Sequence, residues 1–122
     1  MDKQHLADRL KNFGLRVMKM VDFLPESRKS NVIANQILRS STSICANYRA
    51  ACRSKSRKDF INKLKIAEEE TDETLYWLEI IEDAKLISPE KIVNLKKESE
   101  ELLSIFVSSI KTAKQNLTKK SE

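Results

Sequence analysis

Glycine occurs once and proline twice in 122 residues, so the chain has very few points at which it can turn sharply. A β-fold of this size needs turn residues at the end of every short strand, and they are not there. What remains is a small number of long helices. The composition agrees: 40% hydrophobic and 34% charged residues suit amphipathic helices around a shared core and are too apolar for a disordered chain.

Apolar spacing divides the chain into four such helices. Leu6, Leu10, Phe13, Val17, Met20, Val21 and Leu24 recur at three- and four-residue intervals, which predicts a helix over about 6–24 stopped by Pro25. Gly14 falls inside it, where close packing against a neighbour would explain a poor helix former. A second helix, about 30–53, carries Ile33, Ile37, Ser40 or Ser41, Ile44, Asn47 and Ala51 on one side, many of them small. Asn47 reads as a register or boundary residue, because a buried amide needs partners. Ser56 followed by Asp59 resembles a capping box and opens a third helix, about 57–85. Its core stripe is read as Phe60, Leu64, Ala67, Thr71, Leu75 and Leu78, with a second line through Ile66, Trp77, Ile80 and Ala84. One stripe suffices for a bundle core, so the second implies cover from another side, with a partner subunit as the natural candidate. Ser88 and Pro89 mark the start of a fourth helix, about 89–117, with Ser88 as cap and Glu90 in the first turn. Short connections place successive helices antiparallel and adjacent. The expected fold is all-α: one antiparallel, up-and-down four-helix bundle over residues 1–122.

The N-terminus has no apolar stretch behind a basic head, and no run approaches a membrane span, so the expected location is the cytoplasm. Cys45 and Cys52 on one helix lie roughly 10 Å apart along its axis, too far for a disulfide. They read as reduced packing residues. His5 is the only histidine, close to the terminus, and cannot build a histidine-based triad in a pocket. Paired Glu-x-x-His segments and phosphate-binding glycine loops are absent too. The acids of the third helix lie on one element without an evident complement elsewhere. No catalytic residue, metal or cofactor is therefore expected.

Charge is distributed unevenly. The formal net charge is +5. From Arg49 to Lys65 there are seven bases (Arg49, Arg53, Lys55, Arg57, Lys58, Lys63 and Lys65) against one acid, Asp59. From Glu68 to Asp83 there are eight acids and no base. One explanation is contact with nucleic-acid phosphates through Arg39, Arg49, Arg53, Lys55, Arg57 and Lys58, sensitive to salt and largely blind to sequence. A second is self-association, basic patch to acidic patch. A third is a solvated surface laced with ordinary helix pairs such as Lys65/Glu69. No helix-turn-helix, zinc-finger or RNA-binding aromatic signature is present.

The word Gln36-Ile37-Leu38-Arg39-Ser40-Ser41-Thr42-Ser43-Ile44-Cys45-Ala46-Asn47-Tyr48-Arg49 resembles the signature of the bacterial four-helix-bundle proteins encoded in intervening sequences of large-subunit ribosomal RNA genes. Ser56 to Leu64 and Glu70 to Leu78 are similar as well, so the resemblance spans essentially the whole chain. It implies a four-helix bundle, often assembled as a ring of five subunits, and a relation to the nucleic-acid-binding accessory protein of diversity-generating retroelements. It also implies structural roles for Arg39, Ser40, Ser43 and Asn47, which match the family word and would pin the second helix to its neighbours. Relatives commonly carry Glu-Gly where Arg49-Ala50 stands here, a change that removes an acid and adds a base beside Arg53.

Two functions follow as expectations. The first is an oligomeric accessory protein that binds RNA or DNA through the basic residues. The second is a self-assembling scaffold that binds another protein, with Ile66, Glu73, Trp77 and Ile80 at the subunit interface.

Overall fold

The computed structural model describes the backbone of residues 2–121 and the side chains of residues 2–118. Four α-helices run up and down: α1 (Lys3–Val21), α2 (Arg28–Cys52), α3 (Arg57–Asp83) and α4 (Val93–Ser121). A single 3₁₀ turn, Pro89–Lys91, precedes α4. Among the described residues there is no β-strand. Helix α2 packs most extensively on α3 and α3 on α4, while α1 against α4 is the least extensive of the four seams between neighbouring helices.

Local chemistry sets the helix ends. Asp2 caps α1 by accepting a 2.7 Å hydrogen bond from the His5 N–H, so this helix starts three residues before the first apolar position. It also ends earlier than its apolar pattern suggests. After Val21 the backbone closes two tighter turns, Phe23 N–H to the Met20 carbonyl and Leu24 N–H to the Val21 carbonyl. Pro25 disfavours helical backbone at the residue before it, so the chain unwinds ahead of the proline. Ser27 and Ser56 cap α2 and α3 through the N–H groups of Ser30 and Asp59. Only half of the expected capping box forms at Ser56, because the Asp59 carboxylate turns to Lys63 at 2.7 Å.

The fourth helix departs most from expectation. The Ser88 side chain makes no capping hydrogen bond, and Pro89 opens the 3₁₀ turn. The Ile92 N–H bonds the Pro89 carbonyl, three residues back, and regular α-helix begins only at Val93. This bent entry brings Ile92 and Leu95 into the core. Lys91 stands 3.8 Å from the centroid of the Phe23 ring, which ties this turn to the α1–α2 connection at the same end of the bundle.

The core runs through all four helices, with Leu10, Phe13, Val17, Ile37, Ile44, Leu64, Leu78, Ile81, Leu102 and Phe106 fully enclosed. Along α3 the buried stripe is Ile61, Leu64, Ala67, Thr71, Thr74, Leu78 and Ile81. It is rotated from the expected line: Phe60 and Leu75 are only half-buried. Threonine can occupy the inside because its hydroxyl is satisfied locally. Thr71 donates to the Ala67 carbonyl at 2.7 Å, and Thr74 lies 2.8 Å from both the Glu70 carbonyl and the hydroxyl of Ser40 across the α2–α3 seam. Ser40 is thus a cross-helix contact, whereas Ser43 and Asn47 bond back to Arg39 and Ser43 of their own helix.

The least extensive seam between neighbouring helices, α1 against α4, is closed by charge. The Arg9 guanidinium grips Glu98 with two bonds of 2.7 and 2.8 Å and also reaches Glu101 at 2.7 Å. The hydrogen bond from Arg9 holds the Glu98 carboxyl below its usual range, against the opposing effect of burial, and the Arg9 and Arg16 charges add to the shift.

Two stability measurements test this packing. Gly14 is buried, and a Cβ there would meet the Ser41 carbonyl oxygen at 3.5 Å, an ordinary contact. Close approach therefore does not demand glycine, and Gly14→Ala is expected to stabilise the protein by about 0.5–1 kcal/mol in urea denaturation, through helix propensity alone. Glu98 has a depressed carboxyl pKa, so its stabilisation is complete above the unfolded value of about 4.3 and is lost as pH falls through the lower folded value. Glu98→Gln should cost about 1–2 kcal/mol at pH 7 and flatten the acid limb of a stability–pH profile.

Candidate nucleic-acid interface

The up-and-down path brings four chain segments to one end of the bundle: the start of α1, the end of α2, the start of α3 and the last turns of α4. Arg49 and Arg53 lie one turn apart near the end of α2, about 6 Å along the axis. Lys55, Arg57 and Lys58 follow in the short link and the first turn of α3. Among the described residues none of these five has a carboxylate within salt-bridge distance. Their positive charge is left to solvent.

Arg39 is the exception among the six cations read as phosphate contacts. It sits ten residues before Arg49 on the same helix, roughly 15 Å along the axis, and the structure does not gather it with the rest. Its guanidinium pairs with Glu70 at 3.0 Å and with Glu73 on α3. These bonds, to Glu73 above all, raise its pKa further. The register of α2 on α3 sets Arg39 against the acidic run, so its charge is already answered.

Two open grooves indent the basic end. One, of about 580 Å³, lies between α1 and α2 and is lined by four cations, Lys3, Lys11, Arg49 and Arg53, against one acid, Asp8, with Cys45 and Cys52. The other, of about 480 Å³, lies where all four helices meet, and Tyr48, Arg57 and Phe60 belong to its walls. Lys3 borders both. Lys3 and Lys11 escape sequence reading because only the return of α2 alongside α1 sets them beside Arg49 and Arg53. Their spacing of eight, two turns on one helix face, was the available signal.

The cysteines are built into this wall as thiols. Both are free and half-buried. The Cys45 thiol donates to the Ala7 carbonyl at 3.4 Å, and burial pushes its pKa up, so it is a poor nucleophile. Burial also lifts the Tyr48 phenol above its usual range, and the neighbouring Cys52 adds to the rise. Among the described residues no group of three or more His, Cys, Asp or Glu could hold a metal ion.

The residues read as a subunit interface follow one line of α3. Ile66 is 42% exposed. Trp77 and Ile80 are half-buried and packed against the core. Glu73 accepts from Arg39 and, at 3.2 Å, from the Trp77 indole N–H. The line is therefore solvated at Ile66 and partly absorbed into the bundle at Trp77 and Ile80.

Fold and charge together define a small helical bundle with a cationic end and no helix, among the described residues, long and apolar enough to cross a membrane. The chain belongs to the family of 23S rRNA-intervening sequence proteins, whose model matches residues 3–108. It is similar to a crystallised protein of unknown function from the S23 ribosomal protein family of Bacteroides thetaiotaomicron, at 40% identity and a TM-score of 0.82, over 91% of this chain and 99% of that one. No curated protein matches the chain.

Proposed function

We propose that this protein is a non-enzymatic accessory protein that binds RNA or DNA in the cytoplasm through the phosphate groups of its ligand. The observation that carries this reading is the imbalance at the basic end. Arg9, Arg39 and Lys96 pair with carboxylates elsewhere and Lys63 pairs with Asp59, while among the described residues Arg49, Arg53, Lys55, Arg57 and Lys58 have no carboxylate partner and lie beside two grooves. Unpaired cations clustered on one surface attract a polyanion and release its counterions on binding. Lys3 and Lys11 join this surface. Arg39 contributes through α2–α3 pairing instead.

A salt titration tests the proposal. Fluorescence anisotropy with labelled RNA and DNA should give an affinity that falls linearly on a log–log plot against salt, with a slope of about −3 for four phosphate contacts on a single strand. Reversing Arg49, Arg53 and Arg57 to glutamate should abolish binding, while Arg28→Glu with Lys29→Glu, at the other end of the bundle, should leave it. Absence of binding at low salt with the intact protein rejects the proposal.

Self-assembly is the second part of the reading, with five copies as the number that family resemblance suggests. It is supported by the exposure of Ile66 and, three turns further along the same face of α3, the half-buried Trp77. Light scattering coupled to size exclusion should find an oligomer that Ile66→Glu dissociates, with a change in the emission of Trp77, the only tryptophan. A strict monomer at high micromolar concentration rejects it.

A further inference from the structure

The second groove at the basic end differs from a plain phosphate surface. Its floor includes Tyr48, which is 6% exposed and held by an edge-on contact with Phe106, ring centroids 6.2 Å apart. Phe60 lines one side. It packs against the core only in part, so some of the ring stays open to the groove, and the Lys3 ammonium sits 5.8 Å from its centroid. Across the groove α4 presents Thr112 and Asn116, a hydroxyl and an amide that both donate and accept hydrogen bonds. Arg57 stands in the same wall. The volume, about 480 Å³, falls in the range of small-molecule sites.

These features describe one kind of occupant. It has a flat face to lie against Phe60, polar edges to meet Thr112 and Asn116, and a negative charge close by for Lys3 and Arg57. We infer that this groove receives an unpaired nucleobase, and that the preferred ligand of the basic end is single-stranded nucleic acid. Lys3 is shared with the cationic groove between α1 and α2. A strand whose base enters at Phe60 can therefore run its phosphates toward Arg49 and Arg53. A duplex keeps its bases stacked inside and offers this groove nothing but backbone. An acidic peptide would satisfy Lys3 and Arg57 but leave the ring unused. The inference rests on the proposal that the basic end binds nucleic acid and adds to it the form of the ligand.

The experiment compares four labelled probes of equal length at low salt: single-stranded RNA, single-stranded DNA, the DNA duplex, and an abasic DNA strand with the same phosphates and no bases. Single strands should bind about tenfold or more tighter than the abasic strand, and tighter than the duplex. RNA bound more tightly names RNA as the ligand, and equal binding names single strands of either sugar; both agree with the inference. Because Phe60 touches the core, the substitutions keep its bulk. Phe60→Leu should lose about tenfold on single strands and nothing on the abasic strand, and Phe60→Trp should restore the loss, with helix content and melting unchanged by circular dichroism. Equal binding of single, duplex and abasic probes, or an unaltered Phe60→Leu variant, overturns the base groove and leaves phosphate binding standing. Failure of every probe removes phosphate binding as well. Competition by polyglutamate that is as strong as by single-stranded DNA also overturns the base groove.

Discussion

The seam between α2 and α3 is where the rest of the molecule takes its register. Ser40, Ala67, Thr71 and Thr74 are fully enclosed there, and all are small. Small side chains allow two helices to lie against each other along their length, and the Ser40–Thr74 hydroxyl contact ties one level of the seam to the other. The hydroxyls otherwise bond their own helices, so burying them leaves few polar atoms without a partner. A slip of one turn would separate Ser40 from Thr74 and withdraw Arg39 from Glu70 and Glu73. Polar contacts of this kind contribute modestly to stability but discriminate against alternative alignments.

From that register follows the sorting of charge. The middle of α3 is strongly acidic, and the bundle answers it from both sides with Arg39 of α2 and Lys96 of α4, which bonds Glu82 at 2.7 Å. Helix α1 is joined to α4 in the same manner through Arg9, at the least extensive seam between neighbouring helices. Glu70, Glu73 and Glu82 are therefore engaged along the barrel of the bundle, while Arg49, Arg53, Lys55, Arg57 and Lys58 around the α2–α3 link have no carboxylate partner among the described residues. Burial raises the Cys45 thiol pKa and holds the Tyr48 phenol above its normal range, so neither group at this surface is readily ionised.

Much of this was legible in the residues, and the failures have identifiable causes. The four helices, their order and their antiparallel path follow from apolar spacing and the scarcity of glycine and proline. Helix ends were misjudged where capping or tight-turn hydrogen bonds decide the boundary, at Asp2, at Phe23 and Leu24, and at the 3₁₀ turn after Ser88. The expected inner stripe of α3 holds at Leu64, Ala67, Thr71 and Leu78 and fails at Phe60 and Leu75, which are apolar but only half-buried. The helix instead turns Ile61, Thr74 and Ile81 inward, since a threonine that bonds its own backbone can be buried at little cost. The basic cluster was visible as a run of residues, but Lys3 and Lys11 belong to it only through the fold.

What the amino-acid sequence by itself determined is the class of architecture and the inequality of charge, because both depend on residue type and short spacing, which no packing arrangement can alter. The tertiary structure decided which charges remain available. Arg39 and Arg53 are the same residue type fourteen positions apart, one inside α2 and the other its C-cap. One faces Glu70 and Glu73 across the α2–α3 seam and is neutralised, and the other reaches a groove lined by Lys3 and Lys11. Electrostatic energy depends on distance between groups far apart in the chain, and only the packed bundle sets that distance.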